Sequence, residues 1–275
     1  MISLFLKLLR FCMFAGLAAA APAAAVAQTP ANVDLELVIA VDVSLSMDLD
    51  EQRLQRDGYI AAFRDPEVHK AITSGPNGRI AVSYLEWAGP PSQQVVVPWT
   101  LIDGPQAARA LADRLEATVI TRARMTSISA ALASADRLFD ASTFKGIRRV
   151  VDVSGDGPNN AGRPVVPARD ELVGKGIVIN GLPIMLKTAA SFFDLADLDR
   201  YYADCVIGGT GAFLVAVKDR GELVTAIRRK LLLEIAAPEP TARVIRVQAA
   251  AAAEPYDCLI GEKQWQRYMD GRFPN

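Results

Sequence analysis

Short apolar runs alternate along the chain with longer amphipathic stretches. The apolar runs have the length and the β-branched content of strands in a sheet that is covered on both faces. They predict strands at residues 35–43, 79–87, 94–99, 148–153, 176–184 and 213–217. The amphipathic stretches predict helices at residues 48–63, 105–115, 129–139, 167–174, 194–202 and 219–235.

This alternation of strands and helices predicts an α/β fold. We expect a doubly wound, mostly parallel sheet with helices on both faces. Gly89-Pro90-Pro91 leaves only a short connection between the second and third strands, so these two are expected to form a hairpin with one antiparallel edge strand. Arg64-Asp65-Pro66 is expected to end the first helix.

The first 27 residues have the pattern of a secretory signal peptide. Lys7 and Arg10 precede an apolar, alanine-rich run that ends in Ala25-Val26-Ala27, where small residues suit a signal peptidase. A membrane anchor is the alternative, but the apolar run is short for a span. We therefore expect an exported chain that begins at Gln28, is periplasmic or secreted and keeps no stable membrane anchor after cleavage.

Composition divides the remaining chain into a domain of residues 28–237 and an extension of residues 238–275. Pro238 and Pro240 break the last predicted helix, and an alanine-rich segment follows. The extension is expected to fold back onto the domain because it carries several aromatic residues. The full chain has a net charge of −1 and no basic run, so we expect no nucleic-acid partner.

Two cysteines remain once the signal peptide is removed, Cys205 and Cys258. The thiols of an exported protein meet an oxidising compartment, so a disulfide between them is expected. Such a bond would attach the extension to the domain. Two separate buried thiols are the alternative.

Polar residues follow the first strand at alternating positions, as Asp42-Val43-Ser44-Leu45-Ser46. Such a cluster is typical of a strand end followed by a helix cap, but three oxygen ligands in five residues also suit a hard cation. Asp156 follows the fourth strand inside Gly155-Asp156-Gly157. Ligands of parallel sheets bind at the carboxyl ends of the strands, so we expect the two clusters to converge there, which favours a metal site.

Together with Thr126, these residues resemble the metal-ion-dependent adhesion site (MIDAS) of von Willebrand factor type A (vWA) domains, in the same order and with matching spacing. The alternation of strands and helices agrees with that fold over residues 35–235. More narrowly, residues 82–87, 201–209 and 227–236 resemble DUF1194, an uncharacterised family of exported bacterial proteins.

The resemblance implies how each residue would act. Ser44 and Ser46 would bind a divalent cation, Mg²⁺ or else Mn²⁺ or Ca²⁺, directly through their hydroxyls. Thr126 would do so directly or through water, and Asp42 and Asp156 would act mainly through bridging waters. Because few carboxylates bind the ion directly, an acidic side chain of an unknown protein ligand would complete its coordination. The implied function is divalent-cation-dependent protein binding without catalysis.

The chain departs from the vWA pattern at two places. Arg124-Met125 stands where vWA domains often have small glycines, which affects the geometry of the Thr126 loop. Ser154 stands where a threonine commonly precedes the acid, and we interpret it as a strand-end hydroxyl.

Two other functions stay open. Haloacid-dehalogenase-type phosphatases have motifs in a similar order, which would correspond here to Asp42, Thr126, Lys145 and Asp156. Ser44 stands where their second aspartate would act as general acid, and Asn160 stands where a further metal-binding acid would be needed. The other possibility is a vWA scaffold that works without metal.

Two ring-bearing residues have a functional and a structural interpretation. Trp87, at the end of the second strand, is a candidate rim residue in contact with a partner, although packing in the core is the favoured interpretation. His69, the only histidine, is expected to be a solvated surface residue and not a catalytic base.

Overall fold

The computed structural model describes residues 30–187, 192–236 and 255–272. The predicted signal peptide and the alanine-rich segment before residue 255 lie outside these ranges. Within the described ranges, the strands are β1 (Ala31–Asp42), β2 (Ile80–Trp87), β3 (Gln93–Ile102), β4 (Phe144–Gly155) and β5 (Val178–Pro183). The helices are α1 (Leu49–Arg64), α2 (Pro66–Thr73), α3 (Pro105–Ala117), α4 (Ile128–Asp140), α5 (Val165–Gly174), α6 (Leu198–Tyr201), α7 (Leu223–Ala236) and α8 (Ile260–Met269).

The five strands form one sheet in the order β3-β2-β1-β4-β5. β1 pairs in parallel with both β2 and β4, and β4 pairs in parallel with β5. β3 pairs antiparallel with β2 at the edge. The predicted fold class is therefore confirmed, including the single antiparallel edge strand.

Side chains of β1 alternate between two apolar cores. Leu37 and Ile39 pack on one face of the sheet in a cluster that includes residues of α1, α3 and α7. Val38 and Ala40 pack on the other face with residues of α4 and α5. Alternation of this kind places helices on both faces and buries the central strand from Leu35 to Asp42, as its apolar sequence predicts. None of the helices in the described ranges is long and apolar enough to cross a membrane.

The helical region after β1 contains one helix more than expected. Asp48 caps α1 in a capping box, in which its carboxylate accepts from Glu51 N at 2.7 Å and its own N–H donates to Glu51 Oε2 at 2.9 Å. α1 ends at Arg64 as expected, and Pro66 also begins α2 behind the cap Asp65. Proline suits the first position of a helix, because the N–H that it lacks has no partner there anyway.

His69 lies on α2 and is buried, with only 6% of its surface exposed. Its Nε2 donates to the carbonyl oxygen of Phe63 at 2.7 Å, which ties α2 to the end of α1. The expectation that His69 is solvated was wrong because it depended on α2 being absent.

Trp87 is fully buried in the second core, beside residues of α4. The rim interpretation of Trp87 is therefore wrong, and the core interpretation is correct. The physical reason is that α4 packs over this face of the sheet, where Ile128 and Leu132 lie in the same core as Trp87.

The sixth predicted strand, residues 213–217, lies beside β5 but forms only isolated bridges, at Leu214 and Val217. Backbone hydrogen bonds join the two segments at Gly181 and Pro183, from Val215 N to Gly181 O at 3.0 Å and from Val217 N to Pro183 O at 3.0 Å. Because proline has no N–H, it cannot donate the bond that would make the ladder continuous. The position was predicted correctly and the continuous strand was not.

A buried ionic cluster fixes α7 to the sheet. The Lys230 ammonium lies between the carboxylates of Asp152 on β4 and Glu234 on α7, and all three side chains are at most 2% exposed. Asn180 Nδ2 also donates to Glu234 Oε1 at 3.3 Å. Two buried carboxylates are tolerated here because one ammonium neutralises part of their charge.

Lys230→Ala should therefore lower the free energy of unfolding by about 3–5 kcal/mol, because it leaves Asp152 and Glu234 buried without their cation. Urea denaturation followed by circular dichroism measures this change. Lys175→Ala is the matched control, because Lys175 pairs with Asp136 at 2.6 Å at the surface and should cost less than about 1 kcal/mol. Equal losses in the two variants would contradict the assignment.

Candidate metal centre

The two polar clusters predicted from the sequence meet at one edge of the sheet. β1 ends at Asp42 and β4 ends at Gly155. The strands are parallel neighbours in which Val41 pairs with Ser154, so both chains leave the sheet side by side. Ser154 itself is buried and accepts a hydrogen bond from Gln55 Nε2 at 2.6 Å, so it serves the packing of α1 and does not face the candidate site.

Asp42 lies at the base of the site and is fully buried. Its Oδ1 accepts from Ser44 N at 2.7 Å, whereas its Oδ2 has no partner with hydrogen-bond geometry among the described residues. Burial raises the pKa of Asp42 well above its usual value, and the Asp156 carboxyl raises it further, while the hydrogen bonds from Ser44 oppose the shift. A buried carboxyl oxygen without a donor is the kind of atom that a water bound to a cation satisfies.

Gly155 leaves room for this carboxyl group. A Cβ atom at position 155 would come within 2.8 Å of Asp42 Oδ2 and within 3.0 Å of the Tyr202 hydroxyl. The first contact is closer than real Cβ atoms show and the second is tighter than most of them show, so only glycine fits between Asp42 and Tyr202 without movement.

A chain of hydrogen bonds joins the hydroxyls to the second acid. The Ser44 and Ser46 hydroxyl oxygens are 2.6 Å apart, and Ser46 Oγ donates to Asp156 Oδ1 at 2.7 Å. Burial raises the pKa of Asp156, and the hydrogen bond from Ser46 and the charge of Lys187 oppose that rise. Four predicted site residues, Asp42, Ser44, Ser46 and Asp156, are thus linked in one small region.

Thr126 lines the same cavity as Ser44 and Ser46. Its backbone is held by Asn160, because Thr126 N donates to Asn160 Oδ1 at 2.8 Å and Asn160 N donates to Thr126 O at 2.8 Å. The hydrogen bonds found among the described residues do not join its hydroxyl to the other four. Asn160 therefore positions the Thr126 loop and does not stand in for an acid.

Met125 has a φ of 71°, in the left-handed region that favours glycine, and is the only such non-glycine residue in the described ranges. This is one of the two positions, Arg124 and Met125, where glycine was expected from the vWA pattern. The loop thus adopts a conformation suited to glycine with a methionine in it. Such a residue costs of the order of 1 kcal/mol or more, which the packing of the loop has to offset.

Lys187 completes the polar cluster and was not predicted. Its ammonium lies 3.0 Å from Asp156 Oδ2 and 3.3 Å from Glu51 Oε2, and it also donates to the Ser46 carbonyl oxygen. Burial lowers the pKa of Lys187, but the Asp156 and Glu51 charges raise it by more in total. The sequence held one signal for Lys187, since it follows β5, the next parallel strand whose carboxyl end lies at this edge.

The described residues contain no group of three or more histidines, cysteines, aspartates or glutamates arranged to hold a metal ion. The cluster at the sheet edge is of another kind, with two acids and three hydroxyl residues. Hydroxyl and carboxylate oxygens with open space beside them suit a hard cation that keeps several of its waters, and they suit Zn²⁺ bound by nitrogen or sulfur poorly.

The extension supplies a further wall of the cavity. α8 packs against the loop that follows Asp156, where Asn159 Nδ2 donates to Glu262 Oε1 at 2.7 Å. A Cβ at Gly261 would lie 2.1 Å from Asn159 O, so the two backbones are in close contact. Cys205 and Cys258 form the expected disulfide, which holds the start of α8 to the domain.

The chain matches one protein family over most of its length. The family model described as "Protein of unknown function (DUF1194)" matches residues 32–239. The chain belongs to the DUF1194 family. No curated protein matches the sequence of this DUF1194 member.

Solved structures show that the fold of this DUF1194 protein is that of vWA domains. A von Willebrand factor type A structure from Catenulispora acidiphila aligns with a TM-score of 0.52 and 18% identity, over 74% of this chain and 43% of that one. Proximal thread matrix protein 1 from the mussel byssus aligns with a TM-score of 0.55 and 15% identity, over 75% of this chain and 49% of that one. The pilus adhesin SpaC from Lactobacillus rhamnosus GG aligns with a TM-score of 0.54 and 10% identity, over 74% of this chain and 30% of that one. This chain therefore spans half or less of each of these proteins.

The disulfide between Cys205 and Cys258 should stabilise the folded protein. Mass spectrometry without reduction should find Cys205 and Cys258 joined, and a reductant should lower the free energy of unfolding by roughly 2–4 kcal/mol. The double variant Cys205→Ser with Cys258→Ser should be as unstable as the reduced protein and should not respond to the reductant. Two free thiols in the unreduced protein would refute the pairing.

Proposed function

We propose that this protein is an exported protein-binding module whose recognition depends on a divalent cation held in a MIDAS-type site. The observation that carries the proposal is the set of oxygen atoms at the carboxyl ends of β1 and β4. In that set, Ser44, Ser46 and Asp156 are joined at 2.6 and 2.7 Å. The ion is Mg²⁺, or else Mn²⁺ or Ca²⁺.

Each residue has a defined part in the proposal. The hydroxyls of Ser44 and Ser46 hold the ion directly, and Thr126 holds it directly or through water. Asp42 and Asp156 act through bridging waters, which gives the unpartnered Asp42 Oδ2 a donor. Because the protein supplies few direct carboxylates, the ion keeps an affinity for one more. The protein ligand is unknown, and we propose that it contributes an acidic side chain.

Two of the structural neighbours support this function without establishing it. One structure of the mussel proximal thread matrix protein 1, which aligns with a TM-score of 0.52 and 14% identity, contains a MIDAS motif occupied by zinc. SpaC is described as a pilus adhesin. Both proteins share the fold, and the proposal extends the metal-occupied site of the one and the adhesive character of the other to this chain.

An enzymatic function has less support. Lys145, which the phosphatase alternative requires near Asp156, is exposed near the start of β4, whereas Asp156 follows the end of that strand. Strand geometry of about 3.3 Å per residue separates the two by some 35 Å. His69 donates to a backbone carbonyl, and Asn160 holds the Thr126 loop. We therefore propose that the protein has no catalytic activity of its own.

Export is supported by the disulfide, because such bonds persist in oxidising compartments. The proposed signal peptide of residues 1–27 gives the route. We propose a periplasmic or secreted location, with residues 28–237 as the vWA-like domain and residues 238–275 as its extension.

A divalent cation should stabilise the folded protein. At a concentration of Mg²⁺ or Mn²⁺ about one hundred times its Kd, binding contributes about 2.7 kcal/mol, which corresponds to a rise in Tm of roughly 5–10 °C. Asp42→Asn and Ser46→Ala should lose this rise, because each removes a group that holds the ion or its waters. Differential scanning calorimetry with and without EDTA measures the shift.

Ser74→Ala is the matched control, because Ser74 is an exposed serine whose hydroxyl donates to a helix carbonyl, that of Ala71, at 2.8 Å. This variant should keep the full rise in Tm. An equal rise in Tm in the wild type and all three variants would contradict the assignment of the metal site to these residues. No rise in Tm in the wild type would favour the metal-free scaffold.

Lys187→Gln should tighten cation binding by about fivefold. The Lys187 ammonium pairs with Asp156 at 3.0 Å and so competes with an ion for that carboxylate, and a partly exposed ion pair of this kind contributes about 1 kcal/mol. Isothermal titration with Mn²⁺ gives the two dissociation constants. Lys175→Gln, which removes a surface pair of the same type, should leave the constant unchanged. Weaker binding in Lys187→Gln would show that the ammonium supports the site instead of competing.

A further inference from the structure

A cavity of about 520 Å³ opens directly beside the candidate metal centre. Its lining includes the hydroxyl residues Ser44, Ser46 and Thr126, here called the hydroxyl side, and the aromatic residues Phe193, Trp265 and Tyr268, here called the aromatic side. A carboxylate alone needs only a small part of this space. The volume is typical of a site that takes a larger group.

The three rings form one aromatic wall. Trp265 and Tyr268 are stacked with centroids 5.4 Å apart, and Phe193 contacts them at 5.9 and 5.3 Å. Tyr268 is 42% exposed. Clustered rings at an accessible surface favour contact with another apolar or aromatic group.

The wall is held in place by covalent and polar contacts. Trp265 and Tyr268 are both on α8, whose start is fixed by the Cys205–Cys258 disulfide. Glu262, on the same helix, accepts from Asn159 at 2.7 Å in the loop after Asp156. The distance between the aromatic wall and the hydroxyl side is therefore fixed by the fold, as a specificity pocket requires.

The charges around the cavity favour an acidic ligand. Arg124 lines it, is exposed, and its guanidinium pairs with no carboxylate among the described residues. Lys187 lines it as well, next to Asp156. Asp194 is the acid on the aromatic side. A cation at the hydroxyl side would add to the positive charge that faces a carboxylate.

We propose that this cavity is the specificity pocket of the protein, and that it takes an aromatic or large apolar side chain that lies next to the carboxylate bound at the metal centre. The partner is thus a protein segment in which an acidic group and an apolar group are adjacent. The binding of the carboxylate, which is the carboxylate half of this inference, rests on the proposed function. The binding of the apolar group, which is the apolar half, rests on the aromatic wall of Phe193, Trp265 and Tyr268.

Two small carboxylic acids test the apolar half. 3-Phenylpropionate and propionate share the carboxylate and differ in the ring, so their affinities should differ only where the ring is bound. We expect 3-phenylpropionate to bind at least about tenfold more tightly in the presence of Mg²⁺, since burial of a phenyl ring from water has about that effect. NMR titration of the purified protein measures both constants.

Variants of α8 identify the pocket. Trp265→Ala and Tyr268→Ala should lose most of the preference for 3-phenylpropionate. Met269→Ala is the matched control, because Met269 is on the same helix, is 65% exposed and does not line the cavity. Arg124→Gln should weaken the binding of both carboxylic acids by a similar factor and leave the ratio of their affinities unchanged. Thermal unfolding of each variant checks that the fold is intact, and Tyr268→Ala decides the matter if Trp265→Ala does not fold.

The outcomes separate this inference from the proposed function. Equal affinity of the wild type for the two acids would overturn the pocket, as would a preference that survives in both aromatic variants. Failure of 3-phenylpropionate to bind at all would overturn the pocket too. If Mg²⁺ gives no rise in Tm but the ring preference depends on Tyr268, the metal function falls and the pocket stands.

Discussion

Two carboxyl groups, those of Asp42 and Asp156, are brought together where the central strands β1 and β4 leave the sheet. Burial and mutual repulsion raise the pKa of Asp42, and burial raises the pKa of Asp156. Two such groups in a poorly hydrated place cost free energy unless donors or a cation offset their charge. The structure supplies donors from Ser44, Ser46 and Lys187. A site that needs positive charge in this way is well suited to hold a divalent ion.

The remainder of the fold keeps this arrangement in position. Asn160 and Thr126 hold each other by two hydrogen bonds, one between their backbones and one from Thr126 N to the Asn160 side chain, so the loop before α4 stays beside the end of β4. Asn159 connects the same region to α4 and to α8, through Ser129 N at 3.0 Å and Glu262. The extension is thus part of the site region. The surface it builds gives the proposed metal centre an aromatic neighbour that the vWA pattern by itself does not imply.

Much of the framework could be predicted from the sequence. Uninterrupted apolar runs identified the five strands of the sheet, and Gly89-Pro90-Pro91 identified the hairpin. Proline was the main source of error, because its effect depends on position. Pro66 follows the end of one helix, as expected, but also begins another, and Pro183 interrupts the pairing of an otherwise correctly placed segment. The burial of His69 and Trp87 depended on which elements pack over them, and local sequence does not contain that information.

The sequence by itself determined the order of strands and helices along the chain, the polar residues that follow β1 and β4, and the family resemblance. These features depend on local periodicity and on residue type. Only the tertiary structure decided which side chains meet. Lys187 reaches Asp156 from a position 31 residues away, and Asn159 reaches Glu262 across 103 residues. Such contacts depend on the register of parallel strands and on the packing of a distant helix. The aromatic wall beside the hydroxyls of Ser44 and Ser46 could therefore be recognised only in the folded protein.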